Sequence, residues 1–125
     1  MNADYIGVWL YSILLTELCE PNEIIEYYFS LGAKLIVLKK GAHGVLVSNG
    51  KKEKDIPGYD VKVTDSTGAG DVFNGAFLAE LLRGNDPFTS AAYANAAAAV
   101  STTNYGAVNS IPNRVEVKKF LRKFA

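Results

Sequence analysis

Apolar and polar positions change their period several times along the chain. Residues 20–34, EPNEIIEYYFSLGAK, set Ile24, Tyr28 and Leu31 at helical spacing behind Pro21 and end at Gly32. That pattern predicts a helix of about three turns. LIVL, residues 35–38, is a short unbroken apolar run of the kind that a strand buried on both faces presents. GVLVSNGKKEKDI, residues 44–56, places Asn49 and Gly50 between two strand-like arms, so a hairpin closed by a type I′ turn is expected. Its KKEK tip, residues 51–54, should lie in solvent.

Helical signals dominate the second half. After VKVT, residues 61–64, a glycine-rich turn opens a helix that should run to about Arg83 and close at Gly84. Asp86 and Pro87 can cap and start the next helix, whose Ala91, Ala92, Ala94 and Ala96 to Ala99 allow close packing against a sheet. Asn113 with Glu116 resembles a capping box, and Val117, Phe120, Leu121 and Phe124 make the last helix amphipathic. Strands alternating with helices imply an α/β layered fold, with a central, mostly parallel sheet and flanking helices.

Composition narrows the function classes. A chain of 125 residues, 49% hydrophobic and 21% charged, has the length and balance of one globular domain. Thirteen basic side chains match thirteen acidic ones, so no global field draws it to nucleic acid or to an anionic membrane, and a small-molecule partner is expected. Residues 5–15, YIGVWLYSILL, are too few to span a bilayer and are expected to be buried. Cys19 is the only cysteine, which excludes an internal disulfide and fits a reducing cytoplasm.

The stretch DSTGAGDVFNGAFLAEL, residues 65–81, carries the chemistry. Gly68, Ala69 and Gly70 let a backbone approach a ligand, because a larger side chain would fill the space a phosphate needs. The helix that follows presents N–H groups and a partial positive charge at its start, which suits charge that builds up during phosphoryl transfer. Asp71, in its first turn, can accept a proton from an attacking hydroxyl. The plainer alternative is a tight strand-to-helix turn with an acid that favours the helix dipole.

The longer pattern of Asp65, Ser66, Gly68, Ala69, Gly70, Asp71, Gly75, Ala76, Phe77 and Leu78 resembles the C-terminal signature of the ribokinase or PfkB family of carbohydrate kinases. LKKGAHG, residues 38–44, YANAAAAV, residues 93–100, and YGAVNSIP, residues 105–112, follow in the family's order. The resemblance implies a ribokinase-like layered fold, of which residues 1–125 would form the C-terminal, nucleotide-side portion. It implies ATP, magnesium and a small sugar as ligands, with Asp71 as catalytic base and Gly68, Ala69 and Gly70 as the anion hole. Lys39, Gly41 and Gly44 match the nucleotide-side turn, and Asn95 a position near adenine. Asp65 and Thr67, with Ser101, Asn104, Gly106 and Ser110, match positions that enclose a monovalent cation, potassium.

The sequence also departs from the family. The N-terminal half, with most sugar contacts and the lid, has no counterpart, so either a homo-oligomer or a missing N-terminal half is expected. Where the family has an Asn-x-x-Glu motif that organises magnesium, this chain reads TELCEPNE, residues 16–23, and Thr16, Glu17, Glu20 and Glu23 do not reproduce the spacing. Two alternatives to a sugar kinase follow: a non-catalytic paralogue that binds nucleotide or a partner, and a nucleoside or vitamin kinase of the same superfamily. His43 reads as a surface residue and Cys19 as a small apolar one, since no basic cluster flanks the thiol.

Overall fold

The computed structural model describes residues 21–65, 68–103 and 112–123. Contacts divide the chain into two compact units between Pro57 and Gly58. In the first, helix α1 (Pro21–Ser30) precedes strands β1 (Ile36–Lys39), β2 (Val45–Ser48) and β3 (Glu53–Ile56), with a single 3₁₀ turn at Gly41–His43. The second holds α2 (Ala69–Leu82), α3 (Pro87–Thr102) and α4 (Arg114–Lys123).

Helix α1 buries Ile24 and Ile25 with Tyr28 and Phe29 half-covered, against Ala33, Ile36, Leu38 and Leu46. Leu31, expected on the buried face, is 64% exposed because α1 stops at Ser30 and the helical period no longer governs it. Gly32 takes φ 103°, and the Ala33 amide donates to Tyr28 O at 3.1 Å, closing the helix end.

The three strands lie in the order β1-β2-β3 and both pairs are antiparallel, with Val37 opposite Val47 and Val47 opposite Lys54. A mostly parallel arrangement was expected. Parallel neighbours need a crossover of about a dozen residues or more, whereas residues 40–44 and 49–52 alone join these strands. The hairpin forms, but its turn is not type I′. Among the described residues no non-glycine has positive φ, and within this turn Gly50 alone carries it, at 88°. Asn49 N–H donates to Lys52 O at 3.1 Å, so Gly50 and Lys51 are the central pair, with glycine first as in a type II′ turn.

In the second unit the capping signals hold. Asp86 Oδ1 accepts from the amides of Phe88 and Thr89, both at 2.9 Å, and Asn113 Oδ1 accepts from the Glu116 amide at 2.9 Å. Ala96 and Ala97 are fully buried in a cluster with Tyr59, with Val72 and Ala76 of α2, and with Val117, Phe120 and Leu121 of α4. Small side chains at these positions let the helix backbones approach closely. Phe73 and Phe77, one turn apart on α2, are both buried and stack at 6.1 Å. The apolar segment at 5–15, Cys19 and Phe124 lie outside the described residues.

Candidate active site

Gly68 is the N-cap of α2 and adopts the left-handed conformation, φ 79° and ψ 1°. Its carbonyl accepts from the Val72 amide at 2.9 Å, the first rung of the helix, and Gly68 itself brings no capping side chain. Ala69 and Gly70 are the first two helical residues and Asp71 the third, with its carboxylate side chain exposed. Gly68 and Asp71 line the same cleft of about 490 Å³. Gly75, Ala76 and Ala79 continue that wall along α2, Tyr93 and Ala97 contribute from α3, and Pro112 and Arg114 close it from the start of α4.

The far end of the cleft holds a cluster that the residue pattern did not flag. Glu80 is 2% exposed, and its carboxylate accepts from Asn85 Nδ2 at 2.5 Å and from Arg114 Nη1. Arg114 sits over the Tyr93 ring at 5.2 Å, and Lys118 approaches the same ring at 5.7 Å. The hydrogen bond that Arg114 donates to the Glu80 carboxylate holds the guanidinium proton still more firmly than usual, so Arg114 stays charged at ordinary pH. The cluster ties α2, α3 and α4 together below Asp71. Its signal was available: Phe73, Phe77 and Glu80 recur at helical spacing, so the acid falls on the buried face.

Three of the four nucleotide-side residues, Lys39, Gly41 and Gly44, lie in the other unit. Lys39 ends β1, Gly41 opens the 3₁₀ turn at φ 59°, and Gly44 closes it at φ 95°. The turn binds itself through Lys40 N–H to Gly44 O at 2.8 Å and Gly44 N–H to Gly41 O at 3.1 Å. Lys40 Nζ reaches Asp55 Oδ1 at 2.7 Å, and His43 is exposed. Asn95 is 8% exposed, in the interior of α3.

Of the six cation positions, Asp65 and Ser101 are described, while Thr67, Asn104, Gly106 and Ser110 lie outside the described residues. Asp65 N–H donates to Thr102 O at 3.0 Å, which sets it beside the last turn of α3 and next to Ser101. The Ser101 hydroxyl donates to Ala98 O at 2.6 Å. Among the described residues no three His, Cys, Asp or Glu side chains converge to form a metal cage.

The model of the pfkB family of carbohydrate kinases matches residues 12–114, which include both glycine turns and all of α2 and α3. The chain belongs to the pfkB family of carbohydrate kinases. Among curated pfkB relatives, the ribokinase of Bacillus subtilis is 40% identical over 110 residues, covering 88% of this chain and 36% of the relative. The crystal structure of ribokinase from Thermotoga maritima superposes with a TM-score of 0.80 at 40% identity, over 87% of this chain and 38% of that one. A putative ribokinase II from E. coli, in complex with ATP and Mg²⁺, gives 0.79 at 28% identity, over 84% of this chain and 34% of that one. The fold is therefore a partial ribokinase-like α/β fold, and the chain spans about a third of the length of these pfkB proteins. Among the described residues no helix is long and apolar enough to cross a membrane.

Proposed function

We propose that this chain supplies the nucleotide-side portion of an ATP-dependent sugar kinase, in which Asp71 takes the proton from the acceptor hydroxyl. The observation that carries the reading is the joint placement of left-handed Gly68 and exposed Asp71 on one cleft at the start of α2. A helix N-terminus, with its main-chain N–H groups and partial positive charge, favours an incoming anion. In-line transfer needs little covalent chemistry from the protein, so positioning and charge stabilisation do most of the work.

The residues have separable roles in this reading. Gly68, Ala69 and Gly70 approach the transferred phosphoryl group with main chain, and Asp71 orients the hydroxyl and accepts its proton. Lys39, Gly41 and Gly44 belong to the nucleotide-side turn, and Asn95 takes the position that the family places near adenine. Magnesium, bound with ATP, neutralises charge on the phosphate oxygens. Potassium is assigned to the end of α3, where Asp65 and Ser101 are neighbours. A cytoplasmic setting is part of the same reading, in keeping with a single cysteine, and a homo-oligomer or a complementary N-terminal portion would complete the acceptor site.

Calorimetry with ATP and ADP tests the nucleotide half of the proposal. Weak binding at millimolar nucleotide is expected. A folded protein that gives neither heat nor a thermal shift would refute it. Binding without phosphorylation of any sugar, in a complemented chain, would favour the non-catalytic paralogue.

A further inference from the structure

The chain contains the dipeptide Asn-Gly twice, and the fold puts the two copies in opposite environments. Asn49 and Gly50 are both exposed at the tip of the β2-β3 hairpin, whereas Asn74 and Gly75 lie inside α2. We propose that Asn49 is a site of spontaneous backbone modification in the native protein, converting through a cyclic imide to aspartate and isoaspartate, while Asn74 is protected.

The reaction needs the main-chain nitrogen of Gly50 to attack the side-chain carbonyl carbon of Asn49. A new N–C bond forms, the bond to Nδ2 breaks, and ammonia leaves with the proton that Gly50 N gives up. Water then opens the ring at either carbonyl. Glycine admits the attack because it has no Cβ beside the nucleophile.

Three observations favour Asn49. Its Oδ1 accepts from the amides of Lys51 at 2.9 Å and Lys52 at 2.7 Å. This is the oxygen on which negative charge develops during the attack, so the two N–H groups act as a small built-in oxyanion hole. Secondly, Lys51, Lys52 and Lys54 all lie exposed around the tip, which favours the anionic intermediate and the carboxylate product. Thirdly, the Gly50 amide makes only a long bond, 3.3 Å to Ser48 Oγ, outside the strand ladder. At Asn74 the following amide is inside a helix, where N–H groups are committed to the i−4 carbonyls.

The products differ in consequence. Aspartate at 49 keeps an acceptor for the same two amides. Isoaspartate inserts a methylene into the main chain and unseats the Ser48 to Glu53 register at the end of the hairpin.

Peptide mapping of the intact chain tests the proposal. The folded protein is aged at mildly alkaline pH, then unfolded and cut with trypsin. Peptide 41–51 should lose its amide and split into two acidic species, with Asn49→Asp protein as the migration standard, while peptide 63–83, which holds Asn74, keeps its amide. A sample aged in denaturant should convert at both sites, and Asn49→Gln should abolish the change in peptide 41–51. Persistence of the Asn49 amide in the folded sample, while the denatured one converts, would show that the turn protects it and overturn the proposal. Equal conversion of both peptides in folded protein would overturn it too.

Discussion

Replacing Gly68 and Gly75 by alanine should move stability in opposite directions, although both glycines belong to one signature and line one cleft. Gly68 holds φ 79° as the N-cap of α2. An L-residue held in the left-handed region costs about 1–2 kcal/mol. Gly75 lies in the interior of the same helix, and a Cβ built there meets nothing within 4 Å. Relief of chain entropy at a helical glycine gives back roughly 0.5–1 kcal/mol. The second unit is of a size at which 1 kcal/mol shifts Tm by roughly 4–8 °C. Gly68→Ala should therefore lower Tm by roughly 4–16 °C, and Gly75→Ala should raise it by roughly 2–8 °C. Circular dichroism melting of each variant, with Gly68→Asn as a milder left-handed substitute, reads these shifts directly. A Gly68→Ala protein as stable as the parent would mean that this turn does not need a left-handed residue, and the account of the site's main chain would fail.

Two further perturbations follow from the second unit. Asp86→Ala removes the acceptor for the Phe88 and Thr89 amides, so urea denaturation should show a loss of about 1–2 kcal/mol, most of it restored by Asp86→Asn. Tyr59 packs edge-on against Phe120 at 4.9 Å, and burial raises its phenol above the ordinary value. A folded pKa above the unfolded one leaves stability intact below about pH 10 and erodes it as pH rises further. Melting scans in alkaline buffer should show that decline, and Tyr59→Phe should make it shallower; identical slopes would contradict the assignment.

Legibility of the fold followed how local each signal was. Asp86 with Pro87, Asn113 with Glu116, and Gly32 announce helix ends through bonds that span a few residues, so the sequence predicted them at the right places. The hairpin was legible for the same reason, but its turn type was not, since Asn-Gly suits φ > 0 at both central residues and here Asn49 sits outside the central pair. The alanines of α3 declared a close approach without naming the partner, because Ala96 and Ala97 fit a helix as well as a sheet. Strand direction depends on connection length more than on residue type, which is why the antiparallel pairing of β1 with β2 escaped a reading of apolar runs. At the candidate site, Gly68 and Asp71 were conspicuous in the sequence and share the cleft. Glu80 was not, because an acid in an apolar helix reads as a surface residue until Arg114 and Asn85, distant or across a turn, are seen to satisfy it.

The central claim is that Asp71 is the proton acceptor of a phosphoryl transfer, and one substitution tests it most directly. Asp71→Asn keeps nearly the same shape at the third residue of α2 and removes the basic oxygen. Turnover should be measured with ATP, magnesium and a sugar acceptor in a chain completed by an N-terminal portion, alongside calorimetric nucleotide affinity. The account predicts a fall in turnover of about 10² to 10⁴, with nucleotide binding nearly unchanged because the main chain of residues 68–70 is intact. Full phosphorylating activity in Asp71→Asn would contradict it and leave Asp71 as an acid that merely favours the start of a helix.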